Sequence, residues 1–147
     1  NVERLRFEVA EILGMNRNHT AVILGAGNLG RALMENFPFK SNGFQLVAAF
    51  DVDLELVGTQ ISGTPVYHAD SLEDYLRKDP VSVCVLTVPA GVAESTARRV
   101  AQCGVTGIWN FTNVELPQQD MPNVQIEDVH FADSLLTLSY MISEETI

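Results

Sequence analysis

Thr20-Ala21-Val22-Ile23-Leu24-Gly25-Ala26-Gly27-Asn28-Leu29-Gly30-Arg31-Ala32-Leu33 is the stretch on which the reading of the whole chain turns. Its first half, Thr20 to Gly25, is β-branched and apolar and predicts a short strand. Its second half, from about Asn28 to Asn36, predicts a helix. Between them stands Gly-x-Gly-x-x-Gly, placed directly after a strand and at the opening of a helix, which is the context a dinucleotide-binding turn requires. Gly25 permits the tight turn, Gly27 lets the backbone approach a pyrophosphate with no Cβ in the way, and Gly30 allows the helix to pack closely on the strand. The phosphates would rest on free N–H groups at the helix N-terminus, where the helix dipole favours an anion. The plainer reading is a glycine-rich turn without a ligand.

Outward from this motif, short β-rich runs alternate with helical patterns, and no repeat, low-complexity tract or linker divides the 147 residues. Such alternation predicts βαβ units around a parallel sheet. Val2 to Leu13 places Leu5, Val9, Ile12 and Leu13 at helical spacing, with Gly14 as a stop. Further strands are expected at Gln45–Phe50, Pro65–His68, Val81–Val88, Val105–Phe111 and Val124–Glu127. A helix begins near Asp70 or Ser71, where Ser71 with Asp74 resembles a capping box. An alanine-rich helix follows Pro89 and runs to Cys103. The continuous apolar run Val81–Val88 suits a central strand buried on both faces. A last helix carries Phe131, Leu135, Leu138 and Ile142 on one stripe, with Tyr140 and Met141 adding bulk. That stripe serves equally to cover its own sheet or to meet a second subunit. The expected fold class is α/β, a Rossmann-type doubly wound and mainly parallel sheet.

The nucleotide can be read further. Asp51 ends the second strand about 20 residues beyond the third glycine, where a carboxylate accepts hydrogen bonds from both ribose hydroxyls of adenosine. No Arg follows in Asp51-Val52-Asp53-Leu54, so NAD(H) is expected over NADP(H). Asp51 as a plain cap or solvated strand end is the alternative. Thr87-Val88-Pro89-Ala90 ends the central strand, where an open α/β sheet presents its ligand crevice; Thr87 is open to a ligand role and to a capping role. Asn110 is similarly open to binding a nicotinamide carboxamide or bracing a turn.

Other classes are disfavoured. A formal charge of −10 with nine scattered basic residues gives this chain no surface for phosphate backbones, so any DNA contact falls to a part outside it. The apolar runs are far shorter than the roughly 20 residues that span a bilayer, so a soluble, cytoplasmic chain is expected. Cys84 and Cys103 have neither zinc nor redox-pair spacing, and no metal site is expected. His19, His68 and His130 are dispersed and form no catalytic constellation with Ser or Cys. The opening Asn1-Val2-Glu3, without Met, suggests a fragment.

Several stretches together closely resemble the Rex family of bacterial redox-sensing repressors: Gly25 to Leu33, Ala48-Ala49-Phe50-Asp51-Val52-Asp53, Val57-Gly58-Thr59, Pro65-Val66-Tyr67-His68 and Leu86-Thr87-Val88-Pro89-Ala90. The resemblance continues through Gly107-Ile108-Trp109-Asn110-Phe111 to Val129-His130-Phe131 and Leu138-Ser139-Tyr140. It implies a non-enzymatic domain that responds to NADH and NAD+, following an N-terminal winged helix that binds operator DNA. It also implies a homodimer whose terminal helix is exchanged, bringing Phe131 of one subunit towards the other's nicotinamide. Phe131 as an ordinary core anchor is the alternative. On this reading residues 1–15 are a linker helix, 16–128 the nucleotide-binding domain and 129–147 the dimerisation helix. Two positions depart from the family pattern: His130, where an Asp is common, and Asn36-Phe37, where a Tyr is common. A histidine at position 130 is expected to make the response to nucleotide pH dependent. The rival readings are a fragment of a small NAD-dependent oxidoreductase and a domain gated by CoA or another adenine nucleotide.

Overall fold

Strand propensity and burial coincide most closely at Ala21–Leu24, each of which is at most 2% exposed, and this strand lies in the interior of a seven-stranded sheet. The computed structural model describes residues 18–130 and 138–143. In chain order the elements are β1 (His19–Leu24), α1 (Asn28–Asn36), β2 (Phe44–Asp51), β3 (Gln60–Ile61), β4 (Thr64–His68), α2 (Leu72–Lys78), β5 (Val83–Leu86), α3 (Ala90–Gln102), β6 (Gly107–Asn110) and β7 (Gln125–Asp128).

The sheet order is β3-β4-β2-β1-β5-β6-β7. The pairings β4·β2·β1·β5·β6·β7 are all parallel, and the two-residue β3 pairs antiparallel with β4 as a small hairpin. The chain winds outward from β1 through β2 and β4, returns to β5, and winds outward the other way. This is a doubly wound Rossmann-type sheet whose order reverses between β1 and β5, the place where such sheets open a ligand crevice.

Alternating side chains divide β1 between two cores. Val22 and Leu24 join Phe50, Cys84, Leu86 and Ile108 against α2 (Leu72, Leu76) and α3 (Ala93, Ala97, Val100). The small Ala93 and Ala97 let α3 lie close to the strands. Ile23 points the other way, with Ala49, Val66 and Val85, against Met34 of α1 and the buried Phe39. Burial of Cys84 among these apolar groups pushes its thiol well above the ordinary range, as expected of an inert packing residue. On the outer side of the first core, Arg99 of α3 forks onto both Glu73 carboxylate oxygens at 2.7 Å and donates to the Ala69 carbonyl at 2.8 Å, joining α3 to the start of α2. The guanidinium holds the Glu73 carboxyl below its usual range.

Several expectations shift. The apolar run Val81–Val88 pairs as a strand only over Val83–Leu86: Val81 is buried ahead of the ladder and Val88 is half-buried beyond it, so hydrophobicity marked burial rather than pairing. For the same reason Val105–Phe111 narrows to Gly107–Asn110. The Ser71/Asp74 capping box does not form. The chain enters α2 through a 3-10 turn at Ala69–Ser71, Ser71 itself has helical dihedrals and makes no capping bond, and His68 Nδ1 instead accepts the Asp70 N–H at 3.0 Å. Residues 138–143 are helical, with Leu138, Tyr140, Met141 and Ile142 all more than half exposed. The leading helix at Val2–Leu13, and Phe131 and Leu135 of the terminal stripe, lie outside the described residues. Among the described residues no helix is long and apolar enough to cross a membrane.

Leu76 is 1% exposed within the first core, so Leu76→Ala should lower the unfolding free energy by about 2–5 kcal/mol in urea titration. Because the folded pKa of Glu73 is depressed, the pair with Arg99 stabilises the fold above the ordinary Glu range and ceases to do so as pH falls through the folded value. Arg99→Met should therefore lower Tm at pH 7 and lower it less in acid; an equal loss at both pH values would show that Arg99 acts by packing alone.

Candidate nucleotide-binding site

The site is assembled where three strand ends meet. β1 delivers Gly25, β2 delivers Asp51, and β5 delivers Thr87, all at the carboxyl edge of the sheet beside the point where strand order reverses. The first turn is held by backbone bonds to both neighbours: Gly25 N–H donates to Phe50 O at 2.8 Å, and Thr87 N–H donates to Leu24 O at 2.9 Å.

The three glycines have three different surroundings. Gly25 has φ +99°, a conformation that L side chains rarely adopt, and a Cβ there would meet the Thr87 carbonyl and hydroxyl oxygens at 2.8 Å. At Gly30 a Cβ would lie 1.9 Å from the Gly25 carbonyl oxygen, an impossible overlap with backbone. At Gly27 it would meet nothing within 4 Å. The first and third glycines are thus required by the protein's own packing, whereas the second faces open space of the kind a closely approaching ligand needs. Gly27 is also the N-cap of α1, no side chain caps that helix, and its first turn carries no acidic residue. The amides at Asn28 and Leu29 thus stand at the positive end of the dipole with neither a side-chain cap nor a carboxylate from their own first turn.

Asp51 is the second fixed point. Its Oδ2 accepts the Ala26 N–H at 2.6 Å and its Oδ1 accepts the Asp53 N–H at 2.8 Å. One carboxylate therefore ties the glycine turn to the loop after β2. Each oxygen retains acceptor capacity for a further donor such as a ribose hydroxyl. Val52, next in the chain, is 70% exposed, an apolar surface suited to the flat face of an adenine.

Thr87 resolves to a role that sequence spacing could not reveal. Its Oγ1 lies 2.9 Å from Leu24 O and 2.7 Å from Gly25 O, so the hydroxyl latches the first glycine across 62 residues of chain. Its side chain acts on the turn, and the following Val88, Pro89 and Ala90 lead into α3, which like α1 has no side-chain cap. Asn110 is 2% exposed and its amide is fully engaged: Nδ2 donates to Val114 O and Asp128 Oδ1, both at 2.8 Å, and Oδ1 accepts from Thr112 N–H and Oγ1. Of its two readings the geometry is that of a brace, closing the turn after β6 and pinning it to β7. Nothing in the sequence flagged Asp128, its partner. His130 is exposed and lines a recess of about 240 Å³ with Asn113, Glu115 and Asp128 beside this turn. Phe131 lies outside the described residues.

Comparison with known proteins agrees with this architecture. A family model described as a CoA binding domain matches residues 16–114. The redox-sensing transcriptional repressor Rex of Caldicellulosiruptor saccharolyticus is 41% identical over 139 residues, which is 95% of this chain and 63% of the relative. That of Clostridioides difficile is 37% identical, covering 98% and 68%. The chain thus spans about two thirds or somewhat less of the length of these relatives. Among solved structures, RSP, a Rex-family repressor, superposes with a TM-score of 0.87 at 36% identity, covering 99% of this chain and 69% of RSP. RSP has also been solved with NADH, TM-score 0.86, and with NAD+ and operator DNA, TM-score 0.83. Dehydrogenases, such as the WlbA enzyme at 14% identity and a TM-score of 0.62, share the fold alone.

The glycine geometry separates packing from ligand contact. Gly27→Ala should leave the thermal unfolding midpoint nearly unchanged, while Gly30→Ala should cost several kcal/mol or prevent folding. Equal stability of the two variants would show that the turn is not packed as described.

Proposed function

The chain belongs to the Rex family of redox-sensing transcriptional repressors, and from that membership we propose that it is the nucleotide-responsive half of such a repressor, binding NADH and NAD+ as signals rather than as reactants. Gly25, Ala26, Gly27, Asn28, Leu29 and Gly30 hold the pyrophosphate. Asp51 takes the adenosine ribose with Val52 against the adenine, and Thr87, Val88, Pro89 and Ala90 border the nicotinamide. Asn110 contributes by shaping the neighbouring turn, and Phe131 approaches the nicotinamide from the partner subunit. The full protein works in the cytoplasm as a homodimer that uses an N-terminal winged helix to grip operator DNA. NADH changes the arrangement of the two subunits and releases the operator, whereas NAD+ is compatible with repression. Residues 1–15 link the two halves and residues 129–147 form the exchanged dimer helix.

The observation that carries this reading is the pairing of an open approach at Gly27 with a carboxylate at Asp51. Together they offer a pyrophosphate uncapped helix amides and offer a ribose two acceptors, while repelling a 2′-phosphate. A regulatory role is supported by the kinship with Rex repressors and by the lack of a His, Ser or Cys constellation in the sequence. Its charge of −10 supports placing the DNA contacts in the portion of the relatives that this chain does not span. A CoA-type ligand is the second reading, favoured by the description of the family model over residues 16–114, because the same turn accepts the diphosphate of any adenine dinucleotide or CoA.

Parallel calorimetric titrations decide between them. NADH should bind tightest, NAD+ more weakly and NADPH hardly at all, and neither CoA nor ATP should displace NADH; tight CoA binding that excludes NADH would overturn the redox reading. Asp51→Asn should weaken NADH by about tenfold or more, ~1.4 kcal/mol, and narrow the preference over NADPH, as read in the same titrations. Gly27→Ala should abolish binding while the fold persists.

A further inference from the structure

On the α1 side of the sheet, cover is incomplete among the described residues. α1 shields β1, β2 and β4 through Met34 and Leu33, while α2 and α3 both lie on the opposite face. Across β1, β5 and β6 this leaves an apolar groove of about 440 Å³, walled by Phe37, Phe39, Phe44, Val83, Val85 and Trp109. Phe37 and Phe39 both pack edge-on to Trp109, at centroid distances of 5.2 and 6.5 Å. The groove turns polar at Asn42, between Phe39 and Phe44, and at the edge strand β7, where Gln125 and Glu127 form its far rim. Strands buried on both faces are the rule for parallel sheets, so this face calls for an apolar cover.

We propose that the groove is the seat of the chain's own leading segment, residues 1–17, docked as an amphipathic helix with Leu5, Val9 and Ile12 turned onto Trp109. Three observations select this occupant. The first is position: the segment joins the fold at Asn18, immediately before β1, and the groove opens at the amino ends of the strands, where Ala21, Val83, Gly107 and Gln125 stand in register. The tether from the Gly14 stop to Arg17 is therefore four residues, with little loop-closure cost. The terminal segment instead leaves β7 at Asp128, at the opposite end of the sheet. The second is length: twelve helical residues reach about 18 Å, enough to cross the roughly 14 Å from β1 to β7. The third is pattern, because Leu5, Val9, Ile12 and Leu13 lie within one narrow stripe, as a groove of this width requires. The segment then serves as the missing cover of the sheet and attaches whatever precedes it to the strand ends opposite the nucleotide. The inference rests on the groove and does not depend on the ligand assigned above.

Trp109 is the chain's single tryptophan and reports on the groove directly. In the full chain, Val9→Asp should shift its emission to the red and raise its quenching by acrylamide, while Phe7→Asp, on the far side of the same helix, should leave both as in the parent. A parent and a Val9→Asp variant with identical emission and quenching would overturn the proposal, as would a response to Leu138→Asp in place of Val9→Asp. Should Val9→Asp fail to fold, a photoreactive benzophenone side chain introduced at Phe44 provides the second measurement. Adducts within residues 1–17 of the same chain are expected. Adducts in the terminal segment, or in a second copy, would assign the groove to that occupant instead.

Discussion

At the carboxyl edge of the sheet, the first turn of α1 approaches the end of β1 so closely that no side chain fits between them: a Cβ on residue 30 would fall 1.9 Å from the Gly25 carbonyl oxygen. Much of the site's geometry follows from this contact. It sets where α1 starts and aims its uncapped amides at the space above Gly27. It also brings the Gly25 carbonyl within reach of the Thr87 hydroxyl, so that the ends of β1 and β5 are latched together where the strand order reverses. Asp51 completes the arrangement from the other side by accepting the Ala26 N–H. The turn is thus held on both sides by the protein's own hydrogen bonds, with no loop left to be ordered.

The two faces of the sheet serve different ends. The face under α2 and α3 is closed, with fully buried aliphatic side chains and the Arg99–Glu73 fork binding one helix to the other. Among the described residues the face under α1 is closed over β2 and β4 and the carboxyl half of β1, and leaves an apolar groove across the amino ends of β1, β5 and β6. A sheet supported firmly from one side can take a separate helical cover on the other with little disturbance to its core.

Residue by residue, legibility followed the range of the interaction. The six-residue glycine motif and Asp51 were readable because their geometry depends on fixed offsets along the chain: a tight turn, a helix start and the end of the next strand. The parallel sheet was readable from the alternation of apolar runs with helical stripes. The edges of strands were not, because Val81, Val88, Val105 and Phe111 have the composition of strand residues but lie outside the ladders. The Ser71/Asp74 pattern met the spacing of a capping box yet lost to a 3-10 entry that places Ser71 inside the helical region. The hairpin strand β3, two residues long, carries too little periodicity to be seen at all.

Sequence by itself determined the class of fold, the place of the glycine turn and the carboxylate that ends the second strand, because each is encoded by residues close together in the chain whose backbone demands few other residues can meet. Tertiary structure alone decided what Thr87 and Asn110 do. The hydroxyl of Thr87 bonds a carbonyl 62 residues away, and the amide of Asn110 is consumed by Val114, Thr112 and Asp128. Neither role has a local signature, since a hydroxyl or an amide is equally fit to hold a ligand or a backbone. Which of the two it meets is set only when strands distant in sequence are brought side by side.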